Sequence, residues 1–299
     1  MPFDWLIELS EKYAQKERDS RILRGITVFR RDRVSDLEAF IYEPVVCLIL
    51  QGAKVTTIGG QVADLKAGDA LLVSHDLPVV SKITRASLEA PYLALILSLD
   101  MGLVRGLYEL VGDEVAPSDD ARSITVGPTD PAWLDPLGRY LALMDRPLDA
   151  RVLGTSLLRE IHYRLLLSSI DGMLRNLLAV DSHASRIAKA IAQMRTGFRS
   201  PLAVADLAQT AGMSPSSFHD HFRSVTGTTP LQYVKELRLM AACRLLSEEG
   251  CSVSAAAYSV GYESPTHFSR DYSRKFGRPP SRDAGDIAAA ARPQQTMVA

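Results

Sequence analysis

The feature that most constrains this chain is a pattern that occurs twice near its C-terminus. It reads Gly212-Met213-Ser214-Pro215-Ser216-Ser217-Phe218 and then Gly261-Tyr262-Glu263-Ser264-Pro265-Thr266-His267-Phe268. Aligned on the Ser-Pro pair, Phe218, Phe222, Gly227 and Pro230 recur as Phe268, Tyr272, Gly277 and Pro280 at one constant offset. Upstream, Val204, Ala208 and Ala211 recur as Val253, Ala257 and Val260, also at one offset. A correspondence this long and regular marks a duplicated fold element. Each copy predicts a short small-residue helix ended by a Gly in the left-handed conformation, which turns the chain sharply. Ser then serves as N-cap and Pro fills the first position of a second helix, where a missing N–H does no harm. Two helix-turn-helix units follow, over about 203–226 and 253–276.

On each second helix, Phe218, Phe222 and Val225, or Phe268, Tyr272 and Phe276, share one face. That stripe predicts burial against the preceding helix rather than stacking on bases. The outward face carries Ser216, Ser217, His219, Asp220 and Arg223 in the first copy and Thr266, His267, Ser269, Arg270 and Arg274 in the second. From that position a recognition helix reads a major groove. One amphipathic helix with such a face is ordinarily only solvated, and tandem repetition reverses that reading. His219, His221 and His267 have no Cys or carboxylate at ligand spacing, so surface histidines are expected and no metal.

Charge divides along the chain. Between Ala184 and Asp283 stand 13 Lys+Arg against 8 Asp+Glu, a surplus of +5, whereas residues 1–183 carry −6. The near-neutral total of −1 thus hides a basic end suited to phosphate and an acidic remainder.

Residues 184–282 resemble the DNA-binding domain of the AraC/XylS family of bacterial transcription regulators. The second copy carries the resemblance most closely, from Ala257-Tyr258-Ser259-Val260-Gly261-Tyr262 to Phe276-Gly277-Arg278-Pro279-Pro280-Ser281. The first copy matches in frame but more loosely. The resemblance places Ser216, His219 and Asp220, and Pro265, Thr266, His267, Ser269 and Arg270, in the slots that face double-stranded DNA. Asp220 departs from what phosphate favours, so it either accepts from cytosine N4 or leans on a neighbouring Arg. The DNA-binding domain is expected over 184–283, with Ala184 to Met194 its first helix and Pro230 to Glu248 the helix joining its halves.

The N-terminal half reads differently. Val45-Val46-Cys47-Leu48-Ile49-Leu50, Lys54-Val55-Thr56-Thr57-Ile58, Ala70-Leu71-Leu72-Val73 and Tyr92-Leu93-Ala94-Leu95-Ile96-Leu97 are β-rich runs separated by Gly52, Gly59-Gly60, Gly68-Asp69 and Pro78. Closely spaced strands with such turns predict a small sandwich or barrel. The fold class expected is therefore α+β, a β-barrel with helices followed by an all-α domain with two helix-turn-helix motifs. The strand order looks like a cupin-type barrel, and residues 15–165 resemble the N-terminal domain of one subgroup of AraC-type regulators. An effector-binding and dimerisation domain over 15–180 is the expectation. Apolar residues at helical spacing in Pro131 to Met144 and in Arg151 to Ser168, the latter as Val152, Leu157, Ile161, Leu165 and Leu166, predict two helices. By resemblance these pack on the barrel and pair two subunits, although an amphipathic helix serves one chain's core equally well. The boundary between the domains is expected in Ala179-Val180-Asp181-Ser182-His183.

A cupin-like barrel also raises an enzyme reading. A metal centre needs several His plus a carboxylate, yet His75 is the only His before His162, so no catalytic residue, metal or cofactor is expected. Small barrels commonly bind an organic ligand instead. Cys47 and His75 are the candidates for effector contact, against the readings of inert packing and a satisfied turn histidine. In some relatives of the subgroup the signal is a reactive aldehyde, which makes Cys47 a candidate trapping thiol, but its neighbours Val46 and Leu48 do not suggest the exposed, electropositive setting reactivity needs. Cys47, Cys243 and Cys251 do not form a disulfide framework. The N-terminus shows no secretory pattern and no long apolar run, which predicts a cytoplasmic chain without membrane partner. The expected function is a homodimeric, ligand-responsive transcription regulator that works with RNA polymerase. The alternative is a ligand-independent DNA-binding regulator whose barrel only dimerises.

Overall fold

The computed structural model describes residues 4–16, 23–58, 61–111, 114, 123–170, 172–179 and 182–284. The Gly59-Gly60 turn, part of the expected boundary at Val180-Asp181 and the tail after Ala284 lie outside them. The N-terminal half is built on nine strands: β1 (Ile26–Arg31), β2 (Glu38–Tyr42), β3 (Val45–Gln51), β4 (Ala53–Ile58), β5 (Gln61–Lys66), β6 (Asp69–Val73), β7 (Leu77–Arg85), β8 (Tyr92–Ser98) and β9 (Ile124–Pro128). They form a five-stranded sheet in the order β1-β8-β3-β6-β9 and a four-stranded sheet in the order β2-β7-β4-β5, with antiparallel pairing throughout.

The two sheets face each other across Val45, Cys47, Ile49, Leu71 and Tyr92 on one side and Ile58, Leu65, Val79 and Ile83 on the other. The alternate residues of the larger sheet, among them Val46, Leu48, Leu72, Leu93 and Leu95, pack beneath helices. Those helices are α1 (Asp4–Lys16), α3 (Pro131–Ala142) and α4 (Pro147–Leu166), with α2 (Met101–Val111) beside α4. A sheet covered on both faces needs apolar residues at every position, which is why β3 is a continuous hydrophobic run. The smaller sheet has β4 alternating between buried and half-exposed positions.

Two expectations are corrected here. Pro78 does not separate strands but lies inside β7 opposite Ile41. It sits one residue beyond the last β4 pair, Ile58 with Val79, so its missing N–H disturbs no bond to β4. Val152 is not part of the buried stripe of α4 and is 66% exposed. That helix starts at Pro147, earlier than the apolar spacing suggested, and Leu148, Val152 and Leu153 form an outer apolar face.

The C-terminal half is helical: α5 (Gly172–Leu178), α6 (His183–Gly197), α7 (Val204–Thr210), α8 (Pro215–Thr226), α9 (Pro230–Glu248), α10 (Val253–Ser259) and α11 (Pro265–Phe276). The turns between α7 and α8 and between α10 and α11 hinge on Gly212 at φ +62° and Gly261 at φ +87°. Phe218, Phe222, Phe268, Tyr272 and Phe276 are buried in chains of ring contacts.

Candidate nucleic-acid interface

The helices α8 and α11 start alike. Ser214 Oγ accepts from Ser217 N and Ser264 Oγ accepts from His267 N, with Pro215 and Pro265 in the first turn. Each ends at a left-handed Gly, Gly227 and Gly277, whose N–H donates to the Arg223 and Ser273 carbonyls. Capping at both ends fixes where each helix begins and so which side chains point outward. Ser216, His219, Asp220 and Arg223 are exposed on α8, and Thr266, His267, Arg270 and Arg274 on α11. Ser217, Pro265 and Ser269 are half-buried. Arg274 lies 3.5 Å from Asp271, which also pairs with Lys235 of α9. Among the described residues Arg223 and Arg270 make no ion pair, and no Arg or Lys lies within pairing distance of Asp220. Of the two roles considered for Asp220, leaning on an Arg is therefore not realised.

The two motifs are joined by α9, which contacts α8 on one side and α10 and α11 on the other. Arg238 of α9 clamps the turn of the second motif to the connection between α6 and α7. Its guanidinium donates to the carbonyls of Phe198 at 2.7 Å, Gly261 at 3.0 Å and Ser200 at 3.0 Å. Gly261 is the tightest point of this clamp, because a Cβ there would lie 2.3 Å from the Arg199 carbonyl oxygen.

Between the sheets a cavity of about 100 Å³ opens at the free edges of β1 and β2. Phe29, Phe40, Ile83, Ala94 and Ile96 make its apolar wall, and Cys47, Lys54, Tyr42 and Tyr92 its polar end. Cys47 is thus a cavity residue. His75 is not: it is buried where the sheets meet the helical half, with Nδ1 3.0 Å from Ser74 Oγ and 3.2 Å from Ser123 Oγ. Burial lowers its pKa to about 4, the Ala184 backbone opposing the shift, and among the described residues Nε2 has no hydrogen-bond partner. His162 on α4 is also buried, accepting from the Asp100 N–H at 3.1 Å, and burial lowers its pKa.

The contact at His75 is extensive. Ser123 donates through its N–H and its hydroxyl to the carbonyl of Val225, in the last turn of α8. Asp76 takes the Arg195 guanidinium of α6 at 2.7 Å, and its carbonyl accepts from the Tyr233 hydroxyl of α9. Glu43 binds the same Arg195, whose pKa is raised by these two carboxylates, Asp76 first.

Residues 22–173 match the family described as AraC-type transcriptional regulator N-terminus, and residues 207–284 match a helix-turn-helix domain. The chain belongs to the AraC family of transcription regulators. It is 26% identical over 236 residues to the transcriptional activator RhaS of Shigella sonnei, covering 78% of each chain. It is 39% identical over 106 residues to the RCS-specific activator RclR of Escherichia coli, and 38% over 88 residues to the regulator GlxA of Rhizobium meliloti. These two matches span 37% and 27% of the curated proteins. Among solved structures, wild-type ToxT of Vibrio cholerae, bound to an unsaturated fatty acid, shares the fold with a TM-score of 0.54 at 13% identity, covering 87% of this chain and 94% of that one.

Within this AraC-family chain, sequence reasoning missed Lys54, Tyr42 and Tyr92 as cavity residues and Asp76, Ser123, Arg195 and Tyr233 as interface residues. The one local cue for Lys54 was a charged residue opening the β-rich run Lys54-Val55-Thr56-Thr57-Ile58. No comparable signal marks the interface, whose members are far apart in sequence. Among the described residues no helix is long and apolar enough to cross a membrane.

Proposed function

We propose that this chain binds double-stranded operator DNA through α8 and α11 and regulates transcription in response to a small organic effector held between its two sheets. The observation that carries the reading is the pair of equally capped helices, each backed by a buried aromatic stripe and each presenting outward an Arg, Arg223 or Arg270, that makes no ion pair among the described residues. Ser216, Ser217, His219, Asp220 and Arg223, with Pro265, Thr266, His267, Ser269, Arg270 and Arg274, form the DNA-facing set. The cavity favours a sensing role for the sheets over dimerisation alone. The unsaturated fatty acid bound by ToxT, which shares this fold, supports an effector role as well. The outer apolar face of α4 at Leu148, Val152 and Leu153 supports pairing of two copies there, and RNA polymerase remains the expected partner in transcription. Catalysis forms no part of this reading, and the chain is taken to work in the cytoplasm.

Footprinting of the full chain on genomic sites recovered by cross-linking tests the reading. Two recognition helices held by one α9 should protect two major-groove segments on one face of the duplex, about one helical turn apart. Protection of a single segment would remove α8 or α11 from the reading surface.

A further inference from the structure

The cavity between the sheets contains a buried cation. Lys54 is 5% exposed. Its Nζ stands 3.3 Å from Tyr42 Oη and 3.5 Å from Cys47 Sγ and lies 5.6 Å from the Tyr42 ring centroid, with Tyr92 lining the same end of the cavity. None of these partners is a carboxylate. Among the described residues no Asp or Glu lies within ion-pair distance of Lys54. Burial works against its charge, while Cys47 and Tyr42 beside it favour the proton, and the balance lies upward; burial likewise pushes the Tyr92 phenol up. Buried charges are normally paired, and this one meets only a thiol and two phenols at the end of an apolar chamber. Its place is also unexpected for a lysine, since β4 turns Lys54, Thr56 and Ile58 inward together. The Tyr42 hydroxyl, which accepts from Lys54, retains its own proton to donate.

We propose that the cavity takes a small organic monocarboxylate, its carboxylate on Lys54 Nζ and the Tyr42 hydroxyl and its apolar body against Phe29, Ile83, Ala94 and Ile96. This rests on the effector reading and names the ligand class. A cavity of about 100 Å³ is smaller than the roughly 150 Å³ that takes benzene, so the body is at most a single ring reaching toward the open end between β1 and β2. Glu38 lines the same cavity on the same face of β2 as Tyr42, about 13 Å along the strand. A second carboxylate directed away from Lys54 meets that charge, so elongated dicarboxylates are excluded.

Calorimetric titration of the full chain with benzoate, benzamide, benzyl alcohol and terephthalate, alongside operator affinity measured with each probe, tests the assignment. Benzoate should bind at least about tenfold tighter than benzamide or benzyl alcohol, and terephthalate, whose second carboxylate points away from Lys54, should not bind. Lys54→Met keeps the apolar stem and should reduce benzoate affinity by at least about tenfold. Tyr42→Phe, which leaves the lysine in place, should weaken benzoate several-fold and serves if the Met variant does not fold. Equal binding of benzoate and benzamide, or no benzoate binding, would overturn the carboxylate assignment. If benzyl alcohol binds and shifts operator affinity while benzoate does neither, the effector reading stands and the carboxylate falls. If benzoate binds through Lys54 without moving operator affinity, the carboxylate stands and the effector reading falls.

Discussion

At the scale of single residues, the glycines of the two turns differ in a way that can be measured. Gly212 has open space around a would-be Cβ, so Gly212→Ala carries only the left-handed backbone penalty, about 1 kcal/mol. Gly261→Ala adds a collision with the Arg199 carbonyl and disturbs the Arg238 clamp. Urea denaturation should show a loss at least twice as large for Gly261→Ala, and equal losses would show that the clamp yields freely. Arg270, exposed and without an ion pair among the described residues, is the best placed cation for a base edge. Arg270→Ala should cost about 1–3 kcal/mol on the operator and relax preference at one base pair, read by binding to a set of single-base operator variants. Uniform weakening on every duplex would place it on phosphate instead. Residue-level legibility was uneven for a physical reason. Phe218 and Phe268 announce burial by helical period, because a bulky aromatic has one favourable side of a helix. In Lys54-Val55-Thr56-Thr57-Ile58 hydrophobicity puts Val55 inward, yet the strand turns Lys54 inward and Val55 outward. Local alternation cannot reveal that a cavity, rather than packed core, lies on the inner side.

At the scale of elements, helix ends were legible because capping is written in consecutive residues: Ser-Pro starts and Gly ends α8 and α11 alike. The strands β3, β6 and β8 were legible because burial on both faces leaves them apolar throughout. The strands β1, β2 and β5 were not, since edge positions and half-exposed faces admit Arg30, Glu38 and Asp64. The loop at Ser123 was equally silent, although it completes the last turn of α8 by bonding the Val225 carbonyl, one of the groups a helix end leaves open. Ser123→Ala removes that hydroxyl and the contact to His75 Nδ1. The expected loss is about 1–2 kcal/mol, with faster amide exchange over the last turn of α8 and no change in α11. Unchanged exchange in α8 would show that the bond contributes nothing to holding the helix end.

At the scale of the whole molecule, the hydrophobic cluster between the sheets is continuous with the one that supports α6, α8 and α9. His75 stands at the seam. Its folded pKa of about 4 lies below the ordinary 6.5, so the unfolded chain binds the extra proton between those values. The stability it contributes is complete above pH 6.5 and is lost as pH falls toward 4, by about 3 kcal/mol over the window. Urea midpoints at pH 7.5 and pH 5 should separate, and His75→Gln should narrow the separation; His162, lowered in the same direction, accounts for part of what remains. An equal separation in the variant would mean the imidazole keeps its proton when buried. The strand β7 crosses this seam as well: Ser81 and Ile83 face the cavity, while Leu77, Val79 and Val80 belong to the cluster shared with the helices, and α9 rests on it. Because β7 is laddered on both sides by β2 and β4, it cannot slip by one residue without turning every side chain to the other face. Under the effector reading, ligand taste and operator grip are therefore inherited on one strand. A lineage drifting toward a new inducer through β7 must retune its promoters in the same generations, and selection for either trait will drag the other.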